Sequence, residues 1–191
     1  YYDVNYKCNN RSIFDGFKID CTIVAEQDKG KFLHQYKEPH FHHSSNIDHI
    51  KDWTDLSGYY QTEKYFEHCK EEIFNYFTFK QPIRDNIDNK IKQGVYPDPK
   101  LCTSIHIRRG DFVQKQQFHP FQDLQYYKSA CKITNTKKYV FFSDDIGWCK
   151  KTFGYNDRLA YSNDSDPFES MYHMSLCSNH IICNSTFGWW G

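Results

Sequence analysis

The sequence predicts an α/β fold in which helices cover a Rossmann-like parallel sheet. Two observations predict this fold. Strand-like and helix-like segments alternate from about residue 100 onward, and the three clearest strands end in the polar stretches HIRRGD, SDD and NST. The chain has 191 residues, of which 39% are hydrophobic and 18% aromatic, as in folded globular proteins. Its 24 basic residues balance its 24 acidic residues, so no net charge draws it to nucleic acid or to an anionic membrane.

Each element of this second half follows from its residue pattern. The strands are short runs of β-branched, aromatic and aliphatic residues, predicted over 101–108, 138–143, 158–162 and 180–184. The helices place apolar side chains at intervals of three and four residues, predicted over 122–134, 146–153 and 167–177. Strands that alternate with helices in this way favour a parallel sheet.

The first hundred residues contain two clear helical patterns. One covers 61–77, where aromatic and aliphatic residues recur every three or four positions, and the other covers 83–94, which a glycine closes before the breaker YPDPK. We predict that residues 1–97 belong to an N-terminal lobe with linker helices and that residues 98–191 form the sheet domain. Because the chain begins with tyrosine rather than Met, we expect it to be an excerpt of a longer protein, whose leader or membrane anchor, if it has one, would lie outside this sequence.

The cysteine and histidine patterns predict no metal site. Eight cysteines lack the paired C-x-x-C spacing of zinc sites, and buried or scattered thiols are favoured over disulfides. The histidine-rich stretch HQYKEPHFHH, residues 34–43, matches no compact ligand set, so we interpret it as a solvated loop.

The charged end of the first strand of the sheet is the strongest functional signal. In a parallel sheet the loops after the carboxyl ends of the strands form the ligand crevice, and a period of two sends His106 and Arg108 to one face. Gly110 indicates a turn, so the guanidiniums of Arg108 and Arg109 can reach one ligand, and their planar charge suits phosphate oxygens. The alternative is a salt bridge to Asp111 that closes the strand. Polar ends on the other strands favour the anion site.

Polar residues also follow two later strands. Asp144 and Asp145 begin a helix, which Ser143 or Asp144 is expected to cap; alternatively, one of the two carboxylates binds a guanine edge or a ribose hydroxyl. After the last strand, hydroxyls and backbone amides are available to a diphosphate. These groups belong to Asn184, Ser185 and Thr186.

These motifs resemble those of the α-1,2-fucosyltransferases of glycosyltransferase family 11. The matching segments are RSIFDGFKI, LSGYYQTEKYF, SIHIRRGDF, VFFSDDIGWCK and MSLCSNHIICNSTFGWWG, in that order along nearly the whole chain. The family's N-terminal glycine-rich segment and its extreme C-terminus have no counterpart, and we expect them elsewhere in a longer protein. Gly188 stands where the family usually has Ser.

The resemblance implies a GT-B-like fold, with residues 1–97 in part of an acceptor lobe and residues 98–191 in an incomplete donor lobe. It implies inverting transfer of L-fucose from GDP-β-L-fucose to a glycan hydroxyl, commonly the 2-OH of a terminal β-galactoside. The arginine motif is also similar to that of the core α-1,6 and protein O-fucosyltransferases, which work without a metal, so no metal or other cofactor is expected. For an animal protein the resemblance implies a Golgi membrane location facing the lumen, and for a bacterial or viral one the cytoplasm.

Residue roles follow from the same resemblance. Arg108 and Arg109 would neutralise the charge that grows on the β-phosphate of the leaving GDP, with Ser185 and Thr186 beside them. His106 and one of the two aspartates of the SDD segment would hold the guanosine.

The acceptor hydroxyl must lose a proton as it attacks, and a carboxylate is the usual base. Asp111 is nearest in sequence to the arginines, and its other role is to fix them by a salt bridge. Asp166 and Glu169 are further candidates, and the base can also come from residues outside this chain.

Two other functions are compatible with parts of the sequence. A glycosyltransferase of the same fold would use another nucleotide sugar, and selectivity for GDP over UDP decides between the two donors. The tripeptide Arg109-Gly110-Asp111 also spells the integrin-binding motif of adhesion modules, which needs an exposed, mobile loop. The solvent accessibility of Asp111 is the observation that bears on this alternative.

Overall fold

The computed structural model describes residues 12–20, 26–114, 117, 120 and 122–191. Three residues named by the sequence motifs and cysteine pattern, Cys8, Arg11 and Cys21, lie outside the described residues. The chain divides into two compact units, Tyr1–Lys80 and Gln81–Gly191.

Residues 12–20 and 26–80 of the first unit form two short α-helices and a two-stranded parallel sheet. Strand β1 pairs with β2 from His34 opposite Thr54 to Lys37 opposite Ser57. Phe17 and Phe79 form an isolated antiparallel bridge. The elements are α1 (Ile13–Gly16), β1 (His34–Lys37), β2 (Thr54–Ser57) and α2 (Lys70–Tyr76), with 3-10 turns at Glu26–Lys31, Ser45–His49, Glu63–Tyr65 and Glu67–Cys69.

The helix predicted over 61–77 is wrong in its first half. The backbone leaves the helical region at Phe66 (φ −136°, ψ 13°) and at Cys69 (φ −127°, ψ 34°), so α2 begins only after them. Tertiary contacts override the helical pattern: the Tyr65 hydroxyl accepts a hydrogen bond from the backbone N–H of Ser44 and donates one to the carbonyl of His42, both at 3.1 Å.

The second unit alternates strands and helices as predicted, and each predicted element is present with ends within three residues of the prediction. Its strands are β3 (Cys102–Ile107), β4 (Lys138–Ser143), β5 (Leu159–Tyr161) and β6 (Asn179–Ile181). Its helices are α3 (Gln81–Lys92), α4 (Gly110–Gln114), α5 (Leu124–Thr134), α6 (Ile146–Phe153), α7 (Pro167–Ser175) and α8 (Thr186–Trp190), with a 3-10 turn at Pro99–Leu101.

The sheet of the second unit is fully parallel, in the order β5-β4-β3-β6. The chain moves outward from β3 to β4 and β5 and then crosses back to place β6 on the other side of β3. This reversal creates a switch point between β3 and β6, and ligands of open α/β sheets bind outside the carboxyl ends of the strands at such a point. The predicted α/β fold with a Rossmann-like parallel sheet is confirmed by this sheet, and the GT-B-like pairing of this domain with an acceptor lobe remains a prediction.

Two apolar clusters cover the two faces of the sheet. Ile105 and Ile107 of β3 pack with Tyr127 of α5 and Cys149 of α6 on one face. Phe142 of β4 packs on the other face, in a cluster that includes Met174 of α7. Because the two isoleucines occupy one face, the side chain of His106 is directed to the opposite face, as the period of two predicts.

Helix α3 belongs to the second unit, whereas the predicted boundary between residues 97 and 98 placed it with the first. The physical reason is the amphipathic pattern of α3, whose Ile83 and Ile87 are buried. On the polar side, Lys90 Nζ lies 2.8 Å from Asp164 and 3.0 Å from Glu169 of α7. The assignment of residues 1–97 to an acceptor lobe remains a prediction.

Six cysteines lie among the described residues, and all six are free thiols. Residues 12–20, 26–114, 117, 120 and 122–191 contain no group of three or more His, Cys, Asp or Glu placed to hold a metal ion. Within the same part of the chain, no helix combines the length and apolar character that crossing a membrane requires.

Candidate active site

His106 lies near the carboxyl end of β3 and is enclosed by residues that follow β6. Its ring packs against Phe187 of α8 with centroids 5.2 Å apart, and its Nδ1 lies 3.5 Å from the Sγ of Cys183. Gly188 permits this close approach, because a Cβ at that position would lie 2.5 Å from His106 Nδ1. The imidazole of β3 is therefore held by residues from the β6 side of the switch point.

Arg108 follows β3 directly and is held by two carboxylates. Its Nη2 lies 2.9 Å from Oδ1 of Asp111, and its Nη1 lies 3.2 Å from Oδ2 of Asp144. Phe112 lies beneath the guanidinium, 6.0 Å from ring centroid to Cζ. The salt bridge to Asp111 that the sequence offered as an alternative is present. The second contact, to Asp144, directs Arg108 toward the end of β4.

Arg109 is held by a different set of contacts. Its guanidinium carbon lies 4.0 Å from the ring centroid of Trp148, its Nε lies 3.3 Å from Oδ2 of Asp145, and its backbone N–H donates to Oδ1 of Asp144 at 2.9 Å. Among the described residues, no hydrogen bond or ion pair occupies its Nη1 and Nη2 groups. Stacking on an aromatic ring fixes the plane of a guanidinium while leaving its edge available to a planar or tetrahedral anion.

The two aspartates of the SDD segment serve the arginines and the start of α6. Asp145 is the N-cap of α6 and accepts the backbone N–H of Trp148 at 2.9 Å, so the expected capping by Ser143 or Asp144 is corrected. Ser143 Oγ instead accepts the backbone N–H of Asp145 at 3.0 Å. Gly110 allows Asp144 to reach the turn, since a Cβ there would lie 2.5 Å from its Oδ2. We call Arg108, Arg109, Asp144, Asp145 and Trp148 the arginine cluster.

The segment that follows β6 contacts His106 through the Sγ of Cys183. Ser185 occupies the N-cap position of α8 but its hydroxyl makes no capping hydrogen bond, and Thr186 is the first residue of the helix. Asn184 is exposed and its Nδ2 donates to the carbonyl of Pro120 at 2.7 Å. The site that the sequence predicts therefore has its two main parts at the carboxyl ends of neighbouring strands.

A pocket of about 220 Å³ opens beside the arginine cluster. Arg108, Arg109 and Trp148 form one part of its lining, and Asp123 and Leu124 at the start of α5 form another. Trp148 is the main residue that reasoning from the sequence did not assign. The signal was available, because Trp148 lies one turn of helix after Asp144 and Asp145 and shares their end of α6.

The other proposed bases lie in structural contacts. Asp166 caps α7, accepting the backbone N–H of Phe168 at 2.8 Å. Glu169 forms its ion pair with Lys90 of α3. Within the described part of the chain, Asp111 contacts Arg108 of the cluster, whereas the contacts given above for Asp166 and Glu169 are made at α7.

The accessibility of Asp111 does not by itself exclude the adhesion motif, because 47% of its side chain is exposed. The conformation of the tripeptide argues against it. Arg109 is stacked on Trp148, and Gly110 and Asp111 form the first turn of α4 rather than a mobile loop.

The buried imidazole makes stability depend on pH. Burial lowers the pKa of His106 from 6.5 to about 4, with the positive charge of Arg108 acting in the same direction and Asp144 against it. The unfolded chain therefore binds this proton below about pH 6.5 and the folded protein only near pH 4, so the stabilisation is complete above pH 6.5 and is lost as the pH falls. We expect His106 to contribute a slope of about 1.4 kcal/mol per pH unit within this window.

Urea unfolding of the wild type and of His106→Gln at pH 7.5, 6.0 and 5.0 measures this slope. The free energy of unfolding of the variant should fall less steeply below pH 6.5. Parallel curves for the two proteins would contradict the assignment of a neutral, buried His106.

Comparisons with known proteins agree with these motifs. The model of the glycosyl transferase family 11 matches residues 7–191. An alpha-1,2-colitosyltransferase of Escherichia coli is 34% identical over 156 residues, which cover 74% of this chain and 51% of that protein. The bovine galactoside alpha-(1,2)-fucosyltransferase 1 is 22% identical over 190 residues, covering 91% and 53%. A solved structure of POFUT1 in complex with GDP covers 76% of this chain and 61% of its own, with 12% identity and a TM-score of 0.46.

The chain spans about half the length of these curated relatives. The family match, in contrast, extends over nearly all of the chain and includes the strand ends that build the arginine cluster. The chain therefore belongs to glycosyl transferase family 11.

Proposed function

We propose that this protein transfers L-fucose from GDP-β-L-fucose to a glycan hydroxyl and that the second unit binds the donor. The observation that carries the proposal is Arg109, whose guanidinium is stacked on Trp148 and whose Nη groups are unoccupied among the described residues. A diphosphate needs such a fixed cation most when it departs, because its negative charge grows as the bond to the sugar breaks. Relatives named as fucosyl- and colitosyltransferases support a sugar of this kind.

In the proposed reaction, the acceptor oxygen attacks C1 of the fucosyl group from the side opposite to GDP. The new C1–O bond forms as the bond from C1 to the β-phosphate oxygen breaks, which inverts the configuration, and the acceptor proton passes to a base. Arg108 and Arg109 stabilise the departing diphosphate, and Ser185 and Thr186 supply further donors. Asp144 and Asp145 position the arginines through the contacts already described, in addition to the guanosine role that the resemblance implies.

His106 suits the recognition of a neutral base edge. Its depressed pKa keeps the ring uncharged at neutral pH, so one ring nitrogen donates and the other accepts. Asp111 is the proposed base, because it contacts Arg108 of the arginine cluster. The acceptor is proposed to be a terminal β-galactoside, on the names of the fucosyltransferase relatives.

A second candidate donor is a nucleotide-linked colitosyl group. The observation that favours it is the 34% identity to the Escherichia coli alpha-1,2-colitosyltransferase. Competition between the two donors separates the candidates. The donor with the higher affinity should inhibit transfer of the other sugar at the lower concentration.

Calorimetric titration of the full-length protein with GDP, UDP and GMP, in EDTA and then in Mg²⁺, tests the proposal. We expect GDP to bind at least tenfold more tightly than UDP or GMP, and equally well in both buffers, because fixed arginines rather than a metal meet the diphosphate. Loss of GDP binding in EDTA would refute the proposal that the donor binds without a metal ion. A preference for UDP would refute the GDP-fucose donor.

A further inference from the structure

Cys183 places a thiol against one ring nitrogen of His106. Its Sγ lies 3.5 Å from Nδ1, and both side chains are buried, with 5% of Cys183 and 4% of His106 exposed. Gly188 permits this contact, since a side chain at that position would push the imidazole away from the sulfur: its Cβ would lie 2.5 Å from Nδ1. The thiol is therefore held as the polar partner of Nδ1.

The protonation states of the two groups indicate which of them donates. Burial lowers the pKa of His106 to about 4, so at neutral pH the ring is uncharged and one of its nitrogens is an acceptor. Burial also raises the pKa of Cys183, although the backbone N–H groups of Arg108 and Ser185 act on the sulfur in the opposite direction. The thiol thus keeps its hydrogen. Because sulfur is a weak acceptor, S–H donation to an imidazole nitrogen is the better arrangement.

The second ring nitrogen of His106 is available to a ligand. In the described part of the chain, the buried side-chain nitrogen and oxygen atoms without a hydrogen-bond partner are Tyr60 Oη and His173 Nε2. Nε2 of His106 is not one of them and makes no hydrogen bond with the described residues, so it is accessible to solvent. If Nδ1 accepts the thiol hydrogen, Nε2 must carry the ring proton. Guanine offers two acceptors, N7 and O6, to such a donor on one edge.

We propose that the thiol of Cys183 donates to Nδ1 of His106 and thereby fixes the imidazole as an Nε2–H donor toward the guanine base. Cys183 is a positioning residue in this arrangement, because it acts on the nucleotide through His106 and not by direct contact. The guanine contact rests on the proposed function. The hydrogen bond itself does not, because it belongs to the protein without a ligand.

Nitrogen-15 NMR of the full-length protein labelled at histidine tests the hydrogen bond without any nucleotide. At pH 7.5 we expect a single tautomer of His106, protonated on Nε2, with signals assigned by their absence in His106→Gln. In Cys183→Ala a second tautomer should appear, because Nδ1 has lost its partner. Cys183→Ser replaces the thiol by another donor and should restore the single tautomer. A proton on Nδ1 in the wild type would overturn the inference.

Calorimetric titration with GDP tests the consequence for recognition. We expect Cys183→Ala to weaken GDP binding about five- to tenfold, as for the loss of one hydrogen bond, and Cys183→Ser to bind within about twofold of the wild type. In a His106→Ala background, the further change Cys183→Ala should weaken binding less than about twofold, because the thiol acts through the imidazole. A thermal melt checks the fold of each variant.

Cys177→Ala is the matched control for the loss of a buried thiol. Cys177 is also 5% exposed and lies in the same unit, but it packs in the cluster that includes Phe142 and Met174. Its replacement should leave the affinity for GDP unchanged.

The outcomes separate the role of Cys183 from the donor proposal. Unchanged GDP affinity in Cys183→Ala, an equal loss in Cys177→Ala, or a full additional loss in the His106→Ala background overturns the positioning role and leaves the donor proposal standing. A wild type that shows the single Nε2–H tautomer but has no affinity for GDP overturns the donor proposal, and with it the guanine contact, while the hydrogen bond between Cys183 and His106 stands.

Discussion

Replacement of Arg109 by alanine is expected to lower kcat/KM for fucosyl transfer by about 10²- to 10³-fold, the range for loss of one preorganised donor to a developing charge. The reason lies in how the side chain is held. Trp148 fixes the plane of the guanidinium and Asp145 holds its Nε, so the Nη groups meet the diphosphate without reorganising. Arg108 should matter less for transfer, because both of its Nη groups already contact carboxylates.

Three variants in the full-length protein define this effect. Arg109→Lys keeps the charge but loses the flat fork that stacks on Trp148, so we expect only partial recovery relative to alanine. Lys132→Ala removes an exposed cation of α5 and should leave kcat/KM unchanged. Transfer rates and the Kd for GDP would be measured together. Normal GDP affinity and normal turnover in Arg109→Ala would remove the central residue of the mechanism.

The sheet of the second unit was predictable because its signals are local. The runs at 138–143 and 146–153 became a strand and a helix with the predicted bounds, since short apolar runs flanked by polar caps specify both type and ends. The direction of His106 also followed from the period of two in β3. Local sequence pattern and tertiary packing agree in this sheet, so the pattern alone was enough to predict its strands and helices.

The detailed contacts of the site were not predictable in the same way. Arg109 meets Asp145 and Trp148 only after β3 and β4 pair in register, Ile107 opposite Ser143, and that register is a property of the assembled sheet. The enclosure of His106 by Cys183 likewise depends on β6 crossing to the far side of β3. Sequence reasoning placed these residues at one edge, but their pairing needed the strand order.

The first unit shows where local signals mislead. The aromatic period over 61–77 predicts one helix, yet its aromatic residues are used in contacts with distant loops, such as the bond between Tyr65 and Ser44. The position of α3 was missed for a related reason. The apolar stripe of α3 predicts that this helix packs against another element, but it does not identify that element. In the structure the element is α7.

Replacement of Asp164 by alanine is expected to lower the free energy of unfolding by about 3 to 5 kcal/mol, the range for removing one partner of a buried charged network. The Asp164 side chain is completely buried. It accepts hydrogen bonds at 2.8 Å from Lys90, Tyr96 and Ser162, and its Oδ2 lies 3.4 Å from His173 Nδ1. Alanine would leave these donors facing a void between α3, α7 and the end of β5.

Urea unfolding of Asp164→Ala beside Asp157→Ala tests this effect, because Asp157 is an exposed aspartate near the start of β5. Hydrogen bonds from His173, Lys90, Ser162 and Tyr96 outweigh burial and hold the pKa of Asp164 well below its usual 3.8. The stabilisation is therefore present above pH 3.8 and is lost only as the pH falls toward that lower pKa. The difference between wild type and Asp164→Ala should stay constant from pH 7 to 5, while the contribution of His106 declines over that range. A loss below 1 kcal/mol in Asp164→Ala would mean that apolar packing between α3 and α7, rather than this network, holds the helices together.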